Sequence, residues 1–331
     1  VTTVERPADL AVATPSTRWS KGLTAHEAKL LGISVVLFMA AATLPLFATG
    51  YFLTIGVSIA MYTVLATSWT LFSGPTNYIS LATAAFFGIG MYTVAGGVGL
   101  APYPVLVAAA ALAGAVFAAF VGLATLRVSG VYFVIFSLGL AELVRQVVAW
   151  LQHVRGASSG LYVFIGMPDD RLYWLLVGLA AIVFLIGWWI GRSRLGFALR
   201  IIGNDEVVAV HSGINTARAK VILFVISSMF ASITGALVAP RWSYVEPTLA
   251  FSPFLSFQVV IMALLGGVHR LWGPLVGVIP FTIIWEFISS KFPGQTTPLL
   301  GVAFLLIVYL IPHGFVGLVE DLWHRWKRRH A

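Results

Sequence analysis

Glu142 and Arg145 stand three positions apart within residues 131–151, a stretch that is otherwise dominated by apolar side chains. On a helix this spacing puts a carboxylate and a guanidinium on one face, where they can pair. At 1.5 Å of rise per residue they would lie roughly 16 and 21 Å into such a segment. Ionisable groups at that depth in a membrane face protein or a water-filled cavity rather than lipid, because hydrocarbon cannot solvate them. Two uses are open: a structural ion pair or interhelical clamp, and the lining of a solute path. Glu286 sits nearer the end of its own apolar stretch, where its carboxylate can reach the interface.

Other chemistry is excluded by what is missing. No stretch has the Gly-x-x-x-x-Gly-Lys-Ser/Thr pattern whose backbone donors and lysine cradle nucleotide phosphates, so the chain has no ATPase site of its own. Neither His-Glu-x-x-His nor Gly-x-Ser-x-Gly occurs, the seven histidines have no metal-ligand spacing, and there is no cysteine. The expectation is a non-enzyme without a resident cofactor or metal. The longest polar insertion on the side read as cytoplasmic is 192–220. In it Asn204 or Asp205 can cap a short helix, Glu206 suits that helix's N-terminal end and Gly213 suits its stop. Local physics leaves open a docking element or an ordinary folded connection. A second polar segment, 152–172, holds the small-residue turn Gly156 to Gly160 and the charges Asp169, Asp170 and Arg171. The spacing Ala84-x-x-x-Gly88 suits close helix packing.

These groups must be carried by membrane helices. Of 331 residues 59% are hydrophobic and 10% charged, against about 25% charged in soluble domains. Apolar stretches of roughly the 20 residues needed to cross a bilayer recur almost end to end. The expected spans are 30–48, 52–72, 79–97, 103–126, 131–151, 173–191, 221–239, 254–268, 271–289 and 298–311. This is an all-α integral membrane protein of about ten transmembrane helices, with eight to eleven admissible. The third span is rich in Gly and Thr, and the eighth and tenth are short, so these can be broken, tilted or re-entrant. Residues 1–29 read as an N-terminal tail, 30–311 as the membrane domain and 312–331 as a basic C-terminal tail. With both termini in the cytoplasm, fifteen of the twenty Lys and Arg fall on the cytoplasmic side, as the positive-inside rule requires. The net charge of +8 is thereby a topology signal, and nucleic acid is not an expected partner.

Residues Gly196, Ala198, Leu199, Arg200, Ile202, Glu206, Ala209, Gly213, Ile214 and Asn215 form an ordered series. It resembles the cytoplasmic coupling loop in permease subunits of branched-chain (hydrophobic) amino-acid ABC importers. Gly203 stands where that family usually has Arg, Val208 where it has Ala, and Asn204-Asp205 where it has Glu-Asn. The likeness continues along residues 30–320. Ser80-Leu81, Ala84 to Gly90 and Tyr92 resemble one family stretch, with Ala82-Thr83 in place of its Gly-His. Leu126-Arg127, Gly130 and Tyr132, then Glu142 and Arg145, resemble its fifth-helix signature. Gly156, Ser159, Gly160 and Leu161 resemble its outer loop; Leu265-Gly266-Gly267, Gly273-Pro274, Pro312, Gly314 and Gly317 resemble later turns.

The resemblance implies a permease in a bacterial or archaeal plasma membrane, paired with a second related permease. It also implies two ATPase subunits that hold ATP and Mg, a soluble substrate-binding protein outside, and a branched-chain or related hydrophobic amino acid as substrate. Arg200, Asn204, Asp205, Glu206, Ala209, Gly213, Ile214 and Asn215 would then couple to the ATPase, and Gly156, Ser159, Gly160 and Leu161 would meet the binding protein. The rival classes are an ion-coupled secondary transporter that uses Glu142 and Arg145 as a relay, and an intramembrane enzyme.

Overall fold

The computed structural model describes residues 25–125, 130–154 and 160–292, then 294–296, 298–299, 301–302 and 305–306, with side chains from residue 31. Two compact units divide the chain, Val1–Ala41 and Ala42–Ala331. Helix α1 (Ala25–Ala42) belongs almost wholly to the first. The second contains α2 (Leu44–Phe47), α3 (Tyr51–Thr76), α4 (Thr83–Gly97), α5 (Tyr103–Thr125), α6 (Val131–Val154) and α7 (Asp169–Arg192). It continues with α8 (Arg194–Asn204), α9 (Glu206–His211), α10 (Thr216–Val238), α11 (Pro247–Ala250), α12 (Pro253–Gly266) and α13 (Gly273–Lys291). The one sheet among the described residues pairs β1 (Leu161–Tyr162) antiparallel with β2 (Tyr244–Val245).

The helical expectation holds for the described residues. Seven helical segments are long and apolar enough to cross a membrane: α3, α5, α6, α7, Thr216–Arg241, Pro247–Gly266 and α13. A shorter apolar stretch, Leu31–Phe47, covers the first expected span. The third expected span is α4, only 15 residues long, and the tenth lies largely outside the described residues.

The short α4 has a physical explanation. Its N-terminus is inside the bundle, where Ser80, Leu81 and Ala82 are buried. Ala82 offers no side-chain cap, and unpaired first-turn N–H groups are costly there. Serines from other helices supply the acceptors: Leu81 N donates to Ser137 Oγ of α6 at 2.8 Å, and Ala84 N to Ser256 Oγ of α12 at 2.9 Å. Upstream, α3 stops at Asn77, which takes the left-handed conformation (φ 56°) and donates its N–H to the Ser73 carbonyl. Asn tolerates that conformation.

Helix α10 lies at the centre, packed on α3, α4 and α5. Its Phe224 ring meets Phe72 at 5.2 Å, Phe86 at 5.5 Å and Phe133 at 6.4 Å, joining α3, α4 and α6 in one aromatic cluster. Beyond it, the α4 and α10 backbones touch. A Cβ on Gly90 would lie 1.9 Å from the Ser232 carbonyl oxygen, and one on Gly235 2.0 Å from that of Phe87. Small residues permit this approach, which replaces the hydrophobic drive that lipid cannot supply. Ala84 is fully buried, and a Cβ on Gly88 would strike the Phe251 ring.

Gly235→Val should therefore push α4 from α10. The cost should be at or above the ~1–3 kcal/mol typical of overpacking, because the obstacle is main chain rather than a movable side chain. The check is the melting temperature of the detergent-extracted protein, with Gly191→Ala as a control where nothing lies within 4 Å of the added carbon.

Candidate functional site: the docked loop between α7 and α10

The segment that joins α7 to α10 is two short helices. Ser193 starts α8 by accepting from Gly196 N at 3.3 Å, and α8 buries Leu199 and Ile202 while exposing Arg194, Phe197 and Arg200. Asp205 ends α8 and caps α9: its Oδ1 accepts from Val207 N at 2.8 Å and Val208 N at 3.3 Å. Of the two expected caps, Asp205 is thus the one used, and Asn204 is the exposed last residue of α8. Gly213 stops α9 with φ 78°; Gly213 N donates to Val210 O and Ile214 N to Ala209 O. This paired pattern closes a helix whose next residue must be left-handed. Asn215 then opens α10 by accepting from Arg218 N at 2.9 Å.

Glu206 does more than suit the α9 N-terminus. Its carboxylate accepts from the Lys220 ammonium and, at 3.1 Å, from the Tyr78 hydroxyl. Lys220 also donates to Tyr78 Oη at 2.8 Å, and its Nζ lies 4.2 Å from the Tyr78 ring centroid. The Lys220 side chain is only 2% exposed, and a buried ammonium requires such partners. Burial alone would raise the Glu206 carboxyl. The Lys220 ammonium and the hydrogen bonds from Lys220, Tyr78 and Thr216 outweigh it and hold the group below its ordinary 4.5. A second clamp lies alongside, where Asn77 Nδ2 donates to Gly203 O at 2.8 Å. A Cβ at 203 would be 2.5 Å from the Pro75 carbonyl oxygen, so only glycine permits this seat of α8 on the end of α3. Lys220 and Tyr78 were not singled out in the sequence, since their link to Glu206 spans 14 and 128 positions.

These bonds place the end of α3, both short helices and the start of α10 at one end of the bundle. Among the expected coupling residues, Arg200, Asn204, Asp205, Gly213 and Asn215 are exposed, Glu206 and Ile214 are half-buried, and Ala209 is buried. Ala209 anchors α9 while Val207, Val208 and Val210 project from it, each more than half exposed.

At the opposite end, β1 and β2 tie the segment after α6 to the segment after α10. Gly160 is buried against Tyr244 and Val245, and Leu161 is half-buried opposite Val245. Gly156 and Ser159 lie outside the described residues. Tyr162 and Phe164 stack at 5.6 Å with Phe164 79% exposed, an aromatic surface the motif reading did not include. Arg241 pairs with Asp169 at 3.8 Å on the same rim.

Glu142 and Arg145 do pair, within α6: Arg145 Nε donates to Glu142 Oε2 at 2.8 Å and Nη2 to Oε1, while Gln146 Nε2 donates to Oε1 at 2.9 Å. Their side chains are 48% and 24% exposed, and the hydrogen bonds of the pair among the described residues stay within α6. Thr83, where the resembled family has histidine, lines a small internal cavity with Ser68, Ser80 and Ser228. No group of three metal-ligating side chains occurs among the described residues.

A polytopic helical membrane protein with a two-helix loop clamped to one end of its bundle is the class these features define. Residues 51–311 match the family model described as branched-chain amino acid transport system / permease component. The chain belongs to that family, which is one of transport permeases and not of enzymes. Among curated relatives, the permease protein LivM of the high-affinity branched-chain amino acid transport system of Escherichia coli is 26% identical over 303 residues, 78% of this chain and 68% of LivM. BraD of Pseudomonas aeruginosa, of the same description, is 23% identical over 294 residues, 81% of this chain and 94% of BraD. The ribose import permease protein RbsC of Haemophilus influenzae is 24% identical over 166 residues, only 49% of this chain and 50% of RbsC. No solved structure matches the chain.

Two outcomes follow for the clamp. Glu206→Lys sets two ammonium groups together and should destabilise by about 1–3 kcal/mol, less than the ~3–5 of a fully buried pair because Glu206 is partly exposed. The double variant Glu206→Lys, Lys220→Glu should recover part of it, which a melting-temperature cycle would read. Because the folded carboxyl titrates below its ordinary value, its contribution is present above pH 4.5 and lost as pH falls through the lowered value. The stability gap between wild type and Glu206→Gln should thus be flat from neutrality down to about pH 4.5 and close below it, as pH falls through the lowered value.

Proposed function

We propose that this chain is one permease subunit of an ATP-driven importer, with the α8–α9 loop as the seat of an ATPase subunit. The observation that supports this best is the build of α9. Asp205, Gly213 and Ala209 fix a single exposed turn bearing three valines, and the Glu206–Lys220–Tyr78 cluster ties it to both α3 and α10. An ordinary connection needs no such double clamp beneath an apolar knob. A partner groove that moves α9 would move two membrane helices with it.

On this reading the loop end is cytoplasmic, in keeping with Arg192, Arg194, Arg200, Arg218 and Lys220 gathered there. Both termini are cytoplasmic, about ten helices cross a bacterial or archaeal plasma membrane, and the 1–29, 30–311 and 312–331 divisions apply. The assembly holds a second related permease, two ATPase subunits carrying ATP and Mg, and a soluble binding protein that meets the rim formed by Gly160, Leu161, Tyr162 and Phe164. Alternating access follows if the nucleotide states bind the two permease conformations with different free energy. The solute is a branched-chain or related hydrophobic amino acid. Supporting this, LivM and BraD, branched-chain amino acid permeases, match over more than three quarters of this chain, while the ribose permease match covers half of each chain.

Co-expression with the neighbouring ATPase and permease genes, reconstitution in proteoliposomes and uptake of labelled L-leucine, L-isoleucine and L-valine test the reading. Uptake should require ATP and persist without an ion gradient. The paired change Val207→Asp, Val210→Asp should leave the permease pair assembled yet cut coupled uptake by about tenfold or more, equivalent to ~1.4 kcal/mol. Gly213→Val, which strains the left-handed stop, should do the same. Full uptake and full ATPase recovery in both variants would remove the docking role, and uptake driven by an ion gradient would replace the importer with a secondary transporter.

A further inference from the structure

The exposed side of α6 carries a polar stripe that no other candidate span shows among the described residues. Ile135, Gly139, Glu142, Gln146 and His153 follow one another at intervals of four, three, four and seven; all are exposed, and the last three are polar. The opposite side of the helix, with Phe133, Ser137, Leu140, Ala141 and Val144, is buried in the bundle. By contrast, the exposed face of α5 presents Leu112, Val116, Phe120 and Leu123. An ion pair facing lipid in mid-span would pay for both charges without solvent. A stripe that runs on past the pair to His153, about 12 Å beyond Arg145 at 1.5 Å per residue, is longer than a single buried contact needs.

We propose that this stripe is one wall of a water-filled cavity, closed on its far side by the second permease, and that Glu142 and Arg145 bind the zwitterionic head of an amino-acid solute there. The proposal rests on reading the chain as an amino-acid permease and gives that reading a location.

The chemistry fits the geometry. Arg145 uses Nε and Nη2 on Glu142, and a guanidinium has five donors in a fixed fork, which leaves the Nη1 donors for a second carboxylate. Glu142, held by Arg145 and Gln146, offers carboxylate oxygens to an ammonium. The site is neutral overall, so it favours a solute that brings both charges over one that brings either alone. An apolar neighbour on the same face, Ile135, two turns before Glu142, suits a hydrophobic side chain.

The chain has no cysteine, so an introduced cysteine is the one thiol of this subunit and labelling is read on this subunit alone. Gly139 is suited as a reporter: it lies one turn from Glu142, is exposed, has nothing within 4 Å of an added Cβ, and leaves the ion pair intact. In membranes holding the co-expressed complex, Gly139→Cys and Ile135→Cys should react with a charged, water-soluble methanethiosulfonate, while Leu112→Cys and Phe120→Cys should not. A mixture of L-leucine, L-isoleucine and L-valine should slow labelling of Gly139→Cys about threefold or more by occupancy. Isoamylamine, which lacks the carboxylate, and 4-methylpentanoate, which lacks the ammonium, should not. Adding Arg145→Lys, which keeps the charge and loses the fork, should abolish protection while labelling stays fast. If Gly139→Cys is as unreactive as the α5 controls, the cavity is wrong. If either single-charge analogue protects as well as the amino acids, or if Arg145→Lys keeps full protection, the zwitterion site is wrong. ATP-dependent amino-acid uptake by the complex with the unsubstituted chain is measured separately: its absence would sink the transport reading, whereas labelling and protection judge the stripe on their own.

Discussion

Hydrocarbon offers no hydrogen-bond partner, and that deficit organises this chain at every level. It makes the spans helical, since a helix satisfies its own backbone. It explains why Thr70, Thr76, Thr125 and Thr234 turn their hydroxyls back to the carbonyl four residues earlier, at 2.6–2.8 Å. Where a helix cannot satisfy itself, a neighbour must. The buried start of α4 draws on Ser137 and Ser256, and the buried ammonium of Lys220 draws on Glu206 and Tyr78. The polar contacts of the fold are concentrated where self-sufficiency fails, and the docked loop is the largest of these places.

Much of the architecture was legible in the sequence because membrane spans are written in local composition, and the short helix α9 because caps are local too. Asp205 and Gly213 carry their roles within three residues of themselves. The relation of Glu206 to Lys220 and Tyr78 was not legible. A lysine at the start of an apolar span reads as an interfacial cation until the fold shows it to be enclosed. Gly203 was visible only as a departure from a familiar pattern, and its reason, the Pro75 carbonyl of a distant helix, belongs to tertiary structure. The Glu142–Arg145 pair was visible as a pair, but the sequence left open whether its face was buried. The exposed aromatics Tyr162 and Phe164 carried no motif and emerged only when β1 found β2.

The two ends of the bundle are built differently. At the loop end, charge and hydrogen bonds join elements that are otherwise separate, so that α3, α8, α9 and α10 share one set of contacts. At the other end, a two-stranded ladder and one ion pair join segments that lie about the termini of α6, α7 and α10. Between them, the Phe224 cluster and the contact of α4 with α10 form a dense middle with little room for sliding. Movement in such a body is more readily rotation of whole groups of helices than bending within one, because packed cores switch between arrangements instead of deforming smoothly.

The Lys220 cluster also bears on how the chain is made. Threonines that bond within their own helix can enter the bilayer as each span is synthesised, needing nothing from later sequence. Lys220 cannot, for its partners come from α9, just ahead of it, and from Tyr78, some 142 residues earlier. Glu206 leaves the ribosome before Lys220 and can neutralise it at the moment α10 enters the membrane, while the ring and hydroxyl of Tyr78 wait at the end of α3 to receive the pair. Biogenesis of α10 is thus tied to the prior placement of α3, and a defect at residue 78 would show itself first as a fault of insertion in a helix on the far side of the sequence.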